Sequence, residues 1–96
     1  MLNLKFGNKD LIFNEMIIES LQDGQKIQDT KYGICLQKLE RKYYRWTSHV
    51  VNGYCFGSWP CGFGDSPQES LNSLYEQIEA IKIKLIKNIE CIDSLI

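Results

Sequence analysis

Gly62-Phe63-Gly64-Asp65-Ser66-Pro67-Gln68-Glu69-Ser70-Leu71 is the stretch in which strand-like sequence gives way to helical sequence. Ser66 suits the cap of a helix, because its hydroxyl can accept a first-turn N–H that would otherwise stay unpaired. Pro67 follows at the first helical position, where a missing N–H costs nothing. Glu69, three residues after Ser66, completes a capping box. The glycines ahead of the cap permit a tight or left-handed approach to it.

Downstream of this switch, apolar residues fall at Leu71, Leu74, Ile78, Ile81, Leu85, Ile89, Ile92 and Ile96, in steps of three and four. That spacing predicts one continuous helix from Pro67 to about Leu95. At 1.5 Å per residue such a helix is roughly 43 Å long. A three-stranded sheet of short strands is only about 20 Å across. Half of the helix is therefore expected to overhang its own sheet. Its Ile-rich end, with Leu85, Ile89 and Ile92, would need the N-terminal helix, a second copy or a partner protein to cover it.

Upstream, Tyr32–Leu39 has strand character and Glu40-Arg41 can serve as a tight turn. Lys42–Val51, with Tyr43, Tyr44, Trp46, Thr47, Val50 and Val51, is the best strand candidate. Asn52-Gly53 is a strong hairpin signal, and Tyr54–Gly57 returns as a third strand. Residues 57–65 read as a Gly-rich loop holding Trp59, Pro60 and Phe63. Near the N-terminus, Leu2, Leu4 and Phe6 alternate with polar residues as in a short strand, and Gly7-Asn8 reads as a turn. Leu11, Ile12, Phe13, Met16, Ile17, Ile18 and Leu21 then suggest an amphipathic helix, capped by Asp10 and closed at Gly24. A strand pair over residues 2–18 competes with it, since Ile17 and Ile18 favour strands. Gln25–Lys31 reads as polar linker. The expected fold is α+β: one domain over residues 1–96, with an antiparallel sheet of three or four strands packed by a short N-terminal and a long C-terminal helix.

The composition is that of a globular protein, with 44% hydrophobic and 24% charged residues in 96. No apolar run approaches the ~18 residues of a membrane helix, and Met1–Phe6 lacks a signal-peptide core, so a cytoplasmic protein is expected. In a reducing cytosol Cys35, Cys55, Cys61 and Cys91 are expected as free thiols. A zinc site would require His49, Cys55 and Cys61 plus a fourth ligand, and Cys55 and Cys61 stand further apart than in a zinc knuckle. The same residues are the only candidates for a Cys/His nucleophile, and nothing flanks them in a family-specific way. The glycines at 53, 57, 62 and 64 are not followed by a phosphate-loop lysine. No metal, cofactor or enzymatic activity is expected.

Charge is uneven about a net of −1: residues 1–30 carry three Lys against five acids, 31–51 five Lys or Arg against one Glu, and 52–96 three Lys against six acids. Lys38, Arg41, Lys42 and Arg45 interleave with Tyr43, Tyr44 and Trp46, a pattern that can bind nucleic acid through phosphates and bases. The order helix, three strands, helix is also that of a double-stranded-RNA-binding domain. That family, however, places lysines where this chain has Ser66-Pro67-Gln68-Glu69. A solvated hairpin is the preferred reading of Lys38, Arg41, Lys42, Tyr44 and Arg45. Asp65, Glu69, Glu76 and Glu79 form an acidic face that could steer a basic partner. Trp59 and Phe63 are either plugs for the end of the core or anchors for a partner.

The segment Tyr32–Ile83 resembles the core of the HicB antitoxin family, in which a hairpin and a Pro/Gly/Cys loop precede Gly-Asp-Thr/Ser-x-x-Glu-Ala-Leu at the start of a helix. Here the residues are Trp59-Pro60-Cys61-Gly62 and Gly64-Asp65-Ser66-Pro67-Gln68-Glu69-Ser70-Leu71. Ser70 stands where that family has alanine, and the Pro-x-x-Gly-Cys order is rearranged. No DNA-binding module follows the helix, so the family's DNA-binding role is not carried over. The strand-to-helix pattern is also similar to that of short accessory proteins of phages and mobile elements, some of which inhibit nucleases of host defence, CRISPR effectors among them. The absence of catalytic motifs, the small size, the overhanging apolar helix and this resemblance together lead to the expectation of a non-enzymatic, protein-binding inhibitor of a nuclease, toxin or defence complex. Trp59, Phe63, Leu85, Ile89 and Ile92 would contact the partner, and a homodimer through the long helix is open. The alternatives are an antitoxin that binds its toxin and a nucleic-acid module using residues 38–46.

Overall fold

The computed structural model describes residues 1–29, 31–51 and 60–95, with side chains of the last helix described as far as Lys87. In chain order the elements are β1 (Leu2–Phe6), β2 (Lys9–Phe13), α1 (Glu15–Ser20), β3 (Lys26–Gln28), β4 (Ile34–Lys38), β5 (Trp46–Val50), β6 (Cys61–Gly64) and α2 (Pro67–Leu95). The class is α+β, as the sequence predicts. Instead of one sheet there are two, a β1–β2 pair and an antiparallel sheet in the order β3-β4-β5-β6.

The N-terminal region corrects the expectation of a helix from Asp10. Leu11 and Phe13 are buried while Ile12 between them is exposed, which is the two-residue period of a strand. Leu2 to Phe6 pairs in antiparallel register with Phe13 to Lys9 across the Gly7-Asn8 turn. The competing strand-pair reading therefore holds as far as Phe13. The helix begins only after Asn14, whose side chain accepts from the N–H groups of Met16 and Ile17 in place of Asp10. Asp10 instead pairs with Lys5, which holds its carboxyl below the ordinary range.

Three further boundaries move. The polar linker contains the short edge strand β3. The tight turn at Glu40-Arg41 is a longer connection, closed by Leu39 N–H to Arg45 O (2.9 Å) and Arg41 N–H to Tyr44 O (3.0 Å). Leu39 pairs with Arg45 and not with Lys42, and Glu40 N–H donates to the Asp23 carboxylate (2.8 Å). Tyr43 and Tyr44 thus lie outside β5. The Gly-rich loop ends earlier than predicted, since Cys61–Gly64 forms β6 on β5. The Asn52-Gly53 turn and the strand at Tyr54–Gly57 lie outside the described residues.

Helix α2 has the predicted bounds. Glu69 N–H donates to Ser66 Oγ (3.1 Å), and Glu69 Oε2 accepts from Asp65 N–H (2.9 Å), closing the box one residue earlier than its usual form. Ser66→Ala should cost about 1 kcal/mol, read as a lower denaturation midpoint, and an unchanged midpoint would place the helix start elsewhere.

The core comprises Leu4, Leu11, Phe13, Ile18, Leu21, Ile34, Leu36, Trp46, Leu71 and Leu74, with Ile78 packed on its margin. Along α2, at about 100° per residue, Leu71, Leu74 and Ile78 form a central stripe, and Gln68 and Gln77 sit on its two shoulders. Each glutamine makes a two-bond pair with a strand backbone. Gln68 accepts from Lys5 N–H (2.8 Å) and donates to Lys5 O (2.7 Å) on β1. Gln77 accepts from Cys61 N–H (3.3 Å) and donates to Cys61 O (2.6 Å) on β6. The first half of α2 therefore joins the two sheets, one glutamine to each.

Tyr75 fills the β1 side, edge-on to Phe6 at 5.4 Å. On the other side the approach is close enough to require Gly62 and Gly64. A Cβ on Gly62 would overlap Ser70 O and lie 2.6 Å from Leu74 N, and one on Gly64 would lie 2.6 Å from the Glu69 Cβ. Ser70 accounts for the departure from alanine noted above. Its hydroxyl lies within hydrogen-bond reach of Ser48 Oγ (2.9 Å) and Gly62 O (3.2 Å), while Ser48 Oγ donates to Ser70 O (2.9 Å). Both serines are fully buried, and these bonds satisfy them.

Candidate partner-binding surfaces

Two surfaces emerge from this frame. The first is the distal half of α2. Among the described residues, Ile78 is the last apolar side chain of the helix packed on the core. From Glu79 to Leu95 the helix continues for 17 residues, about 26 Å at 1.5 Å per residue. This accounts for the elongated shape, with a long axis of 55 Å against 28 and 19 Å. Leu85 is half-buried within its helical surroundings. Ile83 and Ile86 are 52% and 48% exposed, although neither belongs to the eight-residue stripe. They lie off the stripe's axis at i, i+3 spacing, so a count along a single stripe passes over them. The side chains of Ile89 and Ile92 lie outside the described residues. No described helix is long and apolar enough to cross a membrane.

The second surface joins residues from separate candidate sets. Gly62 and Gly64 face α2, so Phe63 between them faces the other way. There it meets Tyr44, with ring centroids 4.8 Å apart and the planes tilted by 59°. Tyr43 next to it is 83% exposed and Phe63 45%. Phe63 was a partner-binding candidate and Tyr44 a nucleic-acid candidate, and the β5–β6 register, with Thr47 opposite Phe63, brings them together. Trp59, the other loop aromatic, lies outside the described residues.

The four cations of this region are not equivalent. Lys38 pairs with Glu40 (3.9 Å) and lies over the Trp46 ring (5.9 Å). Arg41 pairs with Asp23 (3.2 Å). Lys42 lies over Tyr43 (5.5 Å). Among the described residues, Lys42 and Arg45 have no carboxylate partner within ion-pair distance.

Cys35, His49 and Cys61 are register partners in one row across β4, β5 and β6. A row on adjacent strands spreads its members too widely for a shared tetrahedral ion, and no cluster of three His, Cys, Asp or Glu among the described residues could hold a metal. Burial pushes both thiols up, against the direction that makes a thiolate nucleophile. Cys55, the remaining candidate ligand, lies outside the described residues.

Compared with known proteins, the chain matches no family model, no curated sequence and no solved structure. Its functional reading rests on the two surfaces and on the quoted motifs.

Proposed function

We propose that the chain is a non-enzymatic protein-binding inhibitor, of the class with which phages and mobile elements block a host nuclease or CRISPR complex, and that distal α2 is its principal contact surface. The observation that carries this reading is the 17-residue run of helix beyond the core margin, with Ile83 and Ile86 open to solvent. Ile83 and Ile86 are each about half exposed, so covering them would return roughly half of the ~1.5–3 kcal/mol that full burial of such a side chain is worth. A partner seated on this stretch would recover it. The HicB-like antitoxin reading uses the same surface with a toxin as the occupant.

The test is plaquing efficiency of a phage targeted by a CRISPR nuclease, in cells with and without the chain. The wild type should restore plaquing and co-elute with the nuclease. Ile86→Glu should abolish both while leaving the fold intact, because a charge would be buried unpaired in the contact. Failure to restore plaquing against nuclease-based defence, with neutralisation of a co-expressed toxin instead, would select the antitoxin reading. Failure of both would end the inhibitor proposal.

A further inference from the structure

We infer that Tyr43, Tyr44, Phe63, Lys42 and Arg45 form a second binding surface, suited to a short acidic segment of a partner protein. An apolar side chain of that segment would sit on the Tyr44–Phe63 pair, and its carboxylates would meet Lys42 and Arg45. The inference does not depend on α2, which lies on the opposite face of the sheet.

Charge and ring geometry choose the occupant. Residues 38–45 carry four cations and one carboxylate, and Asp23 beside Arg41 adds a second, so the region is net positive and suits an anionic occupant. Two of those cations are already committed, Lys38 to Glu40 and Arg41 to Asp23, which leaves Lys42 and Arg45 for a ligand. The electrostatic part of nucleic-acid affinity grows with the number of phosphates that Lys and Arg neutralise. Two cations suit a pair of carboxylates better than a phosphate backbone. Single-strand binding also uses open ring faces on which bases stack. Here the Tyr43 face carries the Lys42 ammonium, and Tyr44 and Phe63 pack against each other. What remains is an exposed aromatic edge flanked by charge, the arrangement of an interface anchor with a polar rim.

The experiment is a titration of the ¹⁵N-labelled full chain, followed by amide shifts up to millimolar ligand. The probes are the peptide Glu-Glu-Phe-Glu-Glu, its lysine counterpart Lys-Lys-Phe-Lys-Lys, and an eight-nucleotide oligo-dT. The acidic peptide should shift residues 42–45 and 63, and the lysine peptide should not. Lys42→Ala/Arg45→Ala and Phe63→Ala should each weaken the acidic peptide at least tenfold, with unchanged spectra elsewhere showing that the fold survives. Tighter binding of oligo-dT than of the acidic peptide would overturn the inference in favour of a nucleic-acid site. Shifts at the same residues on dilution of the free protein would assign the patch to a second copy and also overturn it. Absence of acidic-peptide binding, or binding indifferent to the three substitutions, would dismiss the surface.

Discussion

Gly62→Ala is expected to destabilise the fold by about 3 kcal/mol or more, the upper end of what forced overpacking costs. The added Cβ would overlap Ser70 O and stand 2.6 Å from Leu74 N and 2.7 Å from Ser48 Oγ. Two of these three obstacles are helix backbone, which cannot rotate away as a flexible side chain can. The helix would have to lift from β5 and β6, loosening the buried serine pair and the Gln77–Cys61 contact together. For a domain of this size the loss corresponds to a fall in melting temperature of roughly 12–24 °C. Gly24→Ala is the control. No atom lies within 4 Å of its Cβ position, and its φ of +88° exacts only the left-handed penalty of about 1–2 kcal/mol. Equal melting temperatures for the two variants would refute the close docking of α2.

Leu74→Ala should cost about 2–5 kcal/mol, since the side chain is fully buried in the core and its removal leaves a cavity. Ile86→Ala, twelve residues further along the same helix, should change stability by no more than about 0.5 kcal/mol. Urea midpoints of the two variants measure where the core ends. A large loss at Ile86 in the isolated protein would show that its side chain is already covered, by a second copy, and the inhibitor surface would then need another location.

How far the sequence could be read depended on how local each signal was. The start of α2 was legible because the serine hydroxyl, the proline and the glutamate all act within one turn. Its length was legible because the apolar steps of three and four repeat over about seven turns, from Leu71 to Ile96. The N-terminal hairpin was not, because Leu11 to Leu21 carries apolar residues so densely that both periods fit. Only the pairing with Leu2–Phe6, a tertiary fact, decides between them. β6 was hidden by its own glycines, which suggest a loop locally and are required by the neighbouring helix. The meeting of Tyr44 with Phe63 was equally invisible, since it depends on the register of β6 on β5. The candidate residues at the distal end of α2 were half legible: the stripe pointed to Leu85, but Ile83 and Ile86 became apparent only from their exposure.

The glutamine pair that ties α2 to the two sheets also sets an order of events during synthesis. Lys5 and Gln68 are 63 residues apart in the chain, so at ribosomal speeds of about 5–20 residues per second roughly 3–13 s separate their appearance. Once Phe13 has been made, and for most of that interval, Leu4, Leu11 and Phe13 lack the leucines of α2 that help to cover them, and β1 lacks the amide that pairs with Lys5. A polypeptide stalled before residue 66 would carry an open strand edge beside an uncovered apolar face, the combination that recruits chaperones or seeds aggregation. The first three turns of α2 thus carry both the leucines that complete the cover and the amide that pairs with β1, so neither is present until that stretch has been made.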